Sequence, residues 1–214
     1  MKRHDWAYLR HDVQPAFVVA DEAALAFARD WVAQGRPLVV TRQAETGRAL
    51  TLGLALPVEH VTRRLACTVD HADVVRFRNP LTVDEAGHVL SMQDAVALRR
   101  FARAVAGHAL QVGVYGSTAW ECISGLRYRH EGSDVDVVCD VASSAGLSAC
   151  LAAFHEAARD SLSRLDGEIR CTGGRAVAWR ELAEACAGTA SLVLAKGERD
   201  VALLSLHRIL APLR

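Results

Sequence analysis

The feature that most limits how this chain can fold is the hexapeptide SDVDVV, in which two carboxylates interrupt an apolar run. Asp134 and Asp136 are two positions apart, and their neighbours Val135, Val137 and Val138 favour a strand. Side chains alternate along a strand, so both carboxylates project from one face, with Cα atoms roughly 6.5 to 7 Å apart. Like charges so placed repel each other unless a cation or water compensates them. Because hard cations prefer carboxylate oxygens, Asp134 and Asp136 are candidate catalytic residues and metal ligands, with Mg²⁺ the expected cofactor. A solvated strand face is the alternative.

The residues upstream of this strand form a second pattern. The segment VYGS places Gly116 and Ser117 at the exit of the apolar strand LQVGVYG, and the following TAWECISGL has the apolar spacing of a helix. Backbone N–H groups at a strand-to-helix turn favour a phosphate, and glycine lets the anion approach the chain closely. Gly116 and Ser117 are therefore predicted to bind substrate phosphates beside the metal-binding strand.

A third carboxylate is expected from the segment LDGEIRC. Its alternation places Asp166 and Glu168 on one face of a short strand, which could lie beside the strand of Asp134 and Asp136. We assign Glu168 as the third catalytic carboxylate and metal ligand because it lies within the apolar alternation. Asp166 stands at the turn, where an aspartate needs only a local backbone partner. The alternative is that Glu168 is a hairpin residue with no ligand role.

Two basic side chains are placed where they could contact a polyanionic substrate. Lys196 ends the apolar strand SLVLA, and Arg127 lies between Gly125 and the aspartate pair. An ammonium or a guanidinium at these positions can bind phosphate. Lysines are also common at exposed strand ends and arginines in solvated loops, so both positions have a purely structural explanation. Lys196 and Arg127 are the candidate substrate-binding cations.

The chain as a whole has an α/β or α+β pattern, divided at the turn-rich segment NPLTVDEAGH. Residues 1–80 are expected to form a smaller N-terminal α/β module and residues 81–214 a second domain. In the module, a helix over DEAALAFARDWVAQG precedes the strands PLVVTRQ and ALTLGLALP, which the polar turn AETGR joins; periodicity leaves VTRRLACTV open between helix and strand. In the second domain, a helix over SMQDAVALRRFARAVAGH precedes the site segments, and a closing helix is expected near VALLSLHRIL.

Charge and composition exclude several classes of partner. The 25 basic and 25 acidic residues cancel to a formal net charge of zero, so no global attraction to nucleic acid or to a membrane surface is expected. The N-terminus is charged, and no apolar run approaches the roughly 20 residues of a membrane-spanning helix, which predicts a cytoplasmic protein. Six widely spaced cysteines are expected to be buried thiols rather than a zinc site or disulfides.

The combination of these segments resembles a known family. Gly-Ser at a strand-to-helix turn, DVD on the next strand and a later acidic strand are similar to the nucleotidyltransferase superfamily. More specifically, GSTAWECISGLRY, SDVDVV, RLDGEI, GRAVAWREL and SLVLAKG resemble the malonate decarboxylase holo-acyl-carrier-protein synthases, the phosphoribosyl-dephospho-CoA transferases. The segments RHDW and WVAQGRPLVVTR extend the resemblance to the N-terminal part. It implies a nucleotidyltransferase-like catalytic domain over residues 81–214.

The resemblance also implies a reaction and its participants. Members of this family transfer the phosphoribosyl-dephospho-CoA group from triphosphoribosyl-dephospho-CoA to a serine of the acyl-carrier subunit of malonate decarboxylase and release pyrophosphate. By motif, Gly116 and Ser117 would hold the triphosphate, and Asp134 and Asp136 would bind Mg²⁺. Two alternatives are a nucleotidyltransferase with another acceptor, such as the citrate lyase carrier or a small molecule, and a catalytically silent module that binds a carrier protein. The intact Gly-Ser and DVD motifs argue against the silent module.

Overall fold

The computed structural model describes residues 1–19, 21–44, 49–61, 63–108 and 110–213 of the chain. Two β-sheets with packed helices make up this part of the molecule, which confirms the predicted α+β class. The first sheet uses residues 6–78 and the second residues 81–205. The division into domains at residues 1–80 and 81–214 stays a prediction.

The first sheet has six antiparallel strands in the order β2-β5-β4-β3-β1-β6. Its elements in chain order are β1 (Trp6–Leu9), β2 (Ala16–Val18), α1 (Glu22–Ala33), β3 (Leu38–Val40), β4 (Ala49–Ala55), β5 (Arg64–Asp70), a short 3-10 turn (His71–Asp73) and β6 (Val74–Arg78). Asp21 caps α1 by accepting hydrogen bonds from the first-turn N–H groups of Ala23 and Ala24.

Residues 64–69 of the ambiguous segment VTRRLACTV belong to the strand β5, and Thr62 lies outside the described residues. The β5 side chains Leu65, Cys67 and Val69 are buried and alternate with exposed neighbours, which is the period of a half-buried strand. The predicted strands on either side of AETGR are β3 and β4. Most of that predicted turn, residues 45–48, lies outside the described residues.

The second sheet has seven strands in the order β13-β12-β11-β10-β9-β8-β7, and only β9 and β10 pair in parallel. Its elements are β7 (Leu81–Thr82), α2 (Val83–Ala86), α3 (Met92–Ala106), β8 (Val112–Tyr115), α4 (Gly116–Ser124), β9 (Val135–Val141), α5 (Ser144–Asp160), β10 (Leu165–Cys171), β11 (Arg175–Ala178), α6 (Trp179–Cys186), β12 (Leu192–Lys196), β13 (Val201–Ser205) and α7 (Leu206–Leu210). Within the described ranges, no helix combines the length and apolar character needed to cross a membrane.

The predicted closing helix over VALLSLHRIL is wrong in its first half. Residues Val201–Ser205 form β13, which pairs with β12 along its full length, and only Leu206–Leu210 are helical. The five-residue run VALLS is too short for its period to distinguish a helix from a strand. Its pairing with β12 determines that it is a strand. The turn-rich segment NPLTVDEAGH likewise contains a strand and a short helix, whose first turn is closed by a capping box between Thr82 and Glu85.

The two faces of the second sheet differ in polarity. One face carries Val137, Cys139 and Ile169 and is buried against α3 and α5, where the rings of Phe101 and Phe154 lie 4.6 Å apart. The opposite face carries the charged side chains at the intervening positions of β9 and β10. All six cysteines are free thiols; four are buried as expected, whereas Cys122 is half-buried and Cys186 exposed.

Helix α4 connects the two halves of the molecule. It starts at the end of β8 in the second sheet, yet its residues Ala119 and Trp120 are buried in the core of the first. The Trp120 ring meets those of Trp6 and Trp31 edge-on, at 4.8 Å and 5.4 Å between centroids. The helix that begins at Gly116 is therefore fixed at its start by one sheet and along its length by the other core.

Candidate active site

The predicted aspartate pair lies at the start of β9 on the polar face of the second sheet. Asp134 directly precedes the strand, and Asp136 is its second residue. In the register of the sheet, Asp136 is opposite Asp166 on one side and Tyr115 on the other. The expected alternation is present, with Val135 and Val137 buried on the other face. The short parallel β9–β10 pairing thus brings a third carboxylate next to the pair, and that carboxylate is Asp166.

Few positively charged side chains lie close to these three carboxylates. Burial, together with the charges of Asp166 and Asp134, raises the pKa of Asp136 to about 7, and Arg64 opposes the shift only in part. Asp134 lies 3.6 Å from the exposed guanidinium of Arg164. Neither Asp136 nor Asp166 forms an ion pair with any described residue; Asp166 Oδ1 accepts one hydrogen bond from the N–H of Gly167. Concentrated negative charge of this kind attracts a cation.

Gly116 is required at the turn because Asp136 fills the space beside it. Its φ of +66° lies in the left-handed region, and a Cβ built on Gly116 would collide with Oδ2 of Asp136. The strand-to-helix junction is where the sequence indicates it, with β8 ending at Tyr115 and α4 starting at Gly116. Ser117 follows in the first turn and is half-buried. Phosphate binding by Gly116 and Ser117 stays a prediction.

Glu168 lies in a separate cluster of ion pairs. It is 4% exposed, and its carboxylate accepts hydrogen bonds from Arg3 (3.0 and 3.1 Å) and Lys196 (2.7 Å) and contacts His4 Nε2 at 3.2 Å. Burial opposes ionisation, but the bond with His4 and the charges of Arg3 and His4 outweigh it, so the pKa of Glu168 lies well below its usual range. Its negative charge is already compensated.

The two β10 carboxylates therefore have different surroundings on one strand face, and the assignment of Glu168 as the third acid stays a prediction. Asp166 is opposite Asp136, whereas Glu168 is opposite Val138 and bound by three basic side chains. This geometry favours Asp166 over Glu168 as the third acid beside Asp134 and Asp136. Across the described part of the chain, no three His, Cys, Asp or Glu side chains converge closely enough to hold a metal ion as they stand. The metal ligands stay a prediction.

Three oxygen-donor carboxylates with excess negative charge nevertheless fit a hard divalent cation such as Mg²⁺ better than a softer metal. Carboxylate oxygens are the ligands that hard cations prefer, and neither Asp136 nor Asp166 forms an ion pair with a described residue. Asp134, Asp136 and Asp166 are thus the residues of this chain that could hold such an ion.

The two predicted substrate-binding cations differ in position. Lys196 lies on the polar face, where its ammonium bonds Glu168 and remains partly exposed. Arg127 is exposed; its Nε donates to the carbonyl of Arg129 at 3.3 Å, and its own carbonyl accepts from the N–H of Val58. Among the described residues, the contacts of Arg127 therefore do not include the carboxylates, and its role in substrate binding stays a prediction.

The N-terminal segment contributes site residues that alternation along β9 and β10 cannot indicate. Arg3 and His4 cross the polar face to reach Glu168, and the carbonyl of Arg3 accepts a hydrogen bond of 2.6 Å from Arg170. The His4 ring stacks on Tyr115 with centroids 3.9 Å apart, and His4 has a φ of +71°. The one sequence signal for this arrangement is the RHDW segment of the family resemblance.

Fold and site together define an α+β protein with carboxylates and cations on one open sheet face. Family models describe both halves of such a protein: the phosphoribosyl-dephospho-CoA transferase MdcG N-terminal domain matches residues 2–80, and the MdcG C-terminal domain matches residues 81–207. The chain belongs to the phosphoribosyl-dephospho-CoA transferase family.

Curated proteins with this description match the chain over almost their full length. Phosphoribosyl-dephospho-CoA transferases of Xanthomonas euvesicatoria pv. vesicatoria and Xanthomonas axonopodis pv. citri are each 33% identical to this chain, covering 94% of it and 93% of the relative. The transferase of Bradyrhizobium diazoefficiens is 29% identical, covering 98% of this chain and 92% of its own. No solved structure matches the chain significantly.

Proposed function

We propose that this protein transfers the phosphoribosyl-dephospho-CoA group from triphosphoribosyl-dephospho-CoA to a serine of the acyl-carrier subunit of malonate decarboxylase, releasing pyrophosphate. The observation that carries the proposal is the carboxylate cluster of Asp134, Asp136 and Asp166 beside the glycine turn at Gly116, in which Asp136 and Asp166 form no ion pair with a described residue. Membership of the transferase family supports the group that is transferred. The proposal places the reaction in the cytoplasm and involves neither nucleic acid nor a membrane.

In this reaction the acceptor hydroxyl attacks the phosphorus next to the ribose. A new O–P bond forms, the bond from that phosphorus to the pyrophosphate oxygen breaks, and the hydroxyl proton passes to a carboxylate or to water. Mg²⁺ held by Asp134, Asp136 and Asp166 would neutralise charge on the phosphate oxygens. The turn at Gly116 and Ser117 would bind the triphosphate through backbone N–H groups.

Glu168 has a positioning role in this proposal. Because it binds Arg3 and Lys196 together, it fixes two cations on the sheet face that bears the carboxylates. The side chain of Lys196 is partly exposed, so its ammonium can contact the departing pyrophosphate. This arrangement supports a site that presents negative charge to a metal and positive charge to phosphates.

The deciding experiment measures pyrophosphate release from Mg²⁺, triphosphoribosyl-dephospho-CoA and the apo acyl-carrier subunit of malonate decarboxylase, with Asp136→Asn and the citrate lyase carrier as controls. We expect release that depends on the malonate carrier, a matching mass increase on that carrier, and loss of both in the variant. Equal modification of the citrate lyase carrier would contradict the proposal that the malonate decarboxylase carrier is the specific acceptor. Tight precursor binding without any release would identify a catalytically silent module.

A further inference from the structure

A charged cleft lies at the far end of β9 and β10, away from the three carboxylates. Its volume is about 490 Å³, and Lys2, Arg3, Arg170 and Lys196 contribute its basic lining. Asp140, which also lines it, lies four residues beyond Asp136 on β9, a separation of about 13 Å along the strand. The cleft therefore adjoins the candidate active site through Lys196 but is separate from the carboxylate cluster.

The lining of this cleft has more basic than acidic side chains, since four cations lie beside the two carboxylates of Asp140 and Glu198. The buried guanidinium of Arg170, 9% exposed, makes two 2.8 Å hydrogen bonds to Asp140, and the ammonium of Lys2 lies 3.1 Å from the same carboxylate. Lys2 and Arg170 thus share Asp140, and Arg170 also lies 3.7 Å from the buried carboxylate of Asp5. Arg3 and Lys196 likewise share the single carboxylate of Glu168. Such paired cations retain hydrogen-bond donors for a further anion.

The cleft also has room for an anion and an apolar wall. Lys2 is 54% exposed in its side chain, so its ammonium can turn toward a bound ligand. Gly173 and Gly174 form the β10–β11 turn at one edge, and Leu110 and Val141 line another. This lining combines fixed cations with apolar surface, as a site for a nucleotide requires.

We propose that this cleft binds the diphosphate of the dephospho-CoA part of the substrate. The inference rests on the proposed function, because the substrate named there carries two phosphate groups at different places. Two ribose rings separate the reacting phosphorus from the diphosphate that joins adenosine to pantetheine. The two phosphate groups therefore need cations at two places. Lys2 and Arg170 lie beside Asp140, about 13 Å along β9 from Asp136, and supply the second of these places.

The test is calorimetric titration of the full chain with dephospho-CoA in EDTA, so that no divalent ion at the carboxylates contributes. Lys2→Ala removes an exposed cation and should weaken binding about 5- to 10-fold. Glu198→Gln removes an exposed negative charge from the lining and should strengthen binding about 2- to 3-fold. Arg29→Ala, at an exposed position on α1, removes one positive charge elsewhere and should leave the dissociation constant unchanged.

The outcomes separate this inference from the proposed function. No measurable binding to the wild type, or binding that responds to neither Lys2→Ala nor Glu198→Gln, overturns the inference even if the transfer reaction proceeds. Opposite shifts in the two variants support it even if no pyrophosphate is released. Glu198→Gln leaves the N-terminal segment intact, so a loss of folding in Lys2→Ala cannot hide a negative result.

Discussion

Asp136 on β9 lies directly opposite Asp166 on the parallel strand β10, and neither carboxylate forms an ion pair with a described residue. Two positions further along, Glu168 is bound by Arg3, His4 and Lys196. Two acids on one strand face therefore have opposite electrostatic environments. One adds to a negative cluster that a cation can neutralise, and the other holds cations in place.

The first prediction distinguishes the roles of these two acids. Asp166→Asn should reduce the proposed transfer at least about 100-fold while leaving stability nearly unchanged, because it removes a negative charge that has no partner. Glu168→Gln should lower the free energy of unfolding by about 2–3 kcal/mol, since it leaves Arg3 and Lys196 without their carboxylate. Urea unfolding and turnover of both variants test this. The reverse pattern would restore Glu168 as the third acid.

The second prediction concerns the space beside the glycine turn. Gly116→Ala places a Cβ against the Asp136 carboxylate in addition to a strained left-handed φ. Gly125, with φ +71° and nothing near its Cβ position, gives a matched variant with backbone strain alone. We expect Gly125→Ala to destabilise by about 1 kcal/mol and Gly116→Ala by about 2–4 kcal/mol. Equal losses in thermal unfolding would show that the collision with Asp136 is relieved without consequence.

The third prediction follows from the raised pKa of Asp136. In the folded state Asp136 keeps its proton up to about pH 7, whereas the unfolded chain loses it near the ordinary value of 3.8. The folded state thus binds more protons in this window, so the contribution of Asp136 to stability falls as pH rises from about 4 to 7. In EDTA at pH 8, Asp136→Asn should be more stable than the wild type by about 1–2 kcal/mol, after allowance for partial exposure.

The pH series provides the control for this prediction. Below pH 4 the aspartate is protonated in both states, so the advantage of Asp136→Asn should disappear there. Urea unfolding at several pH values measures the difference. A constant difference at all pH values would show that the variant acts through packing and not through charge.

The fourth prediction concerns metal binding in the absence of substrate. Saturating Mg²⁺ should raise the melting temperature by about 2–4 °C relative to EDTA, because a ligand that binds only the folded state stabilises it. Asp136→Asn should abolish the increase, and Asp30→Asn, at an exposed position on α1, should retain it. An equal increase in all three proteins would assign the effect to ionic strength.

Local alternation correctly predicted which face of β9 and β10 carries the acids, while their catalytic roles stay a prediction. The period of two in SDVDVV and LDGEIRC placed the acids of β9 and β10 on one face, and the residues around Gly116 indicated the strand-to-helix junction. Alternation could not choose between Asp166 and Glu168, because that choice depends on the register of β10 against β9. The choice depends equally on the position of Arg3, which contacts Glu168 although the two residues are more than 160 positions apart in sequence.

The same limit explains the missed strand β13. The run VALLS is too short for its period to distinguish strand from helix, and its conformation is set by pairing with β12. Where the local preference of a segment is weak, hydrogen bonding to a distant strand therefore determines its secondary structure. Helix α4 shows the opposite case, since the apolar spacing of TAWECISGL was sufficient to predict the helix, although not that its Trp120 is buried in the core of the first sheet.

The position of α4 between two cores has an evolutionary consequence. A gene fragment encoding only the second half would leave Trp120 without Trp6 and Trp31, and Glu168 without Arg3 and His4. The same helix starts at Gly116 beside the carboxylates, so a change in how the halves fit would shift the turn next to Asp136. Recombination between family members at the junction near residue 80 would thus yield active chimaeras only where both parents share this set of contacts. We therefore expect the two halves of the chain to have evolved together.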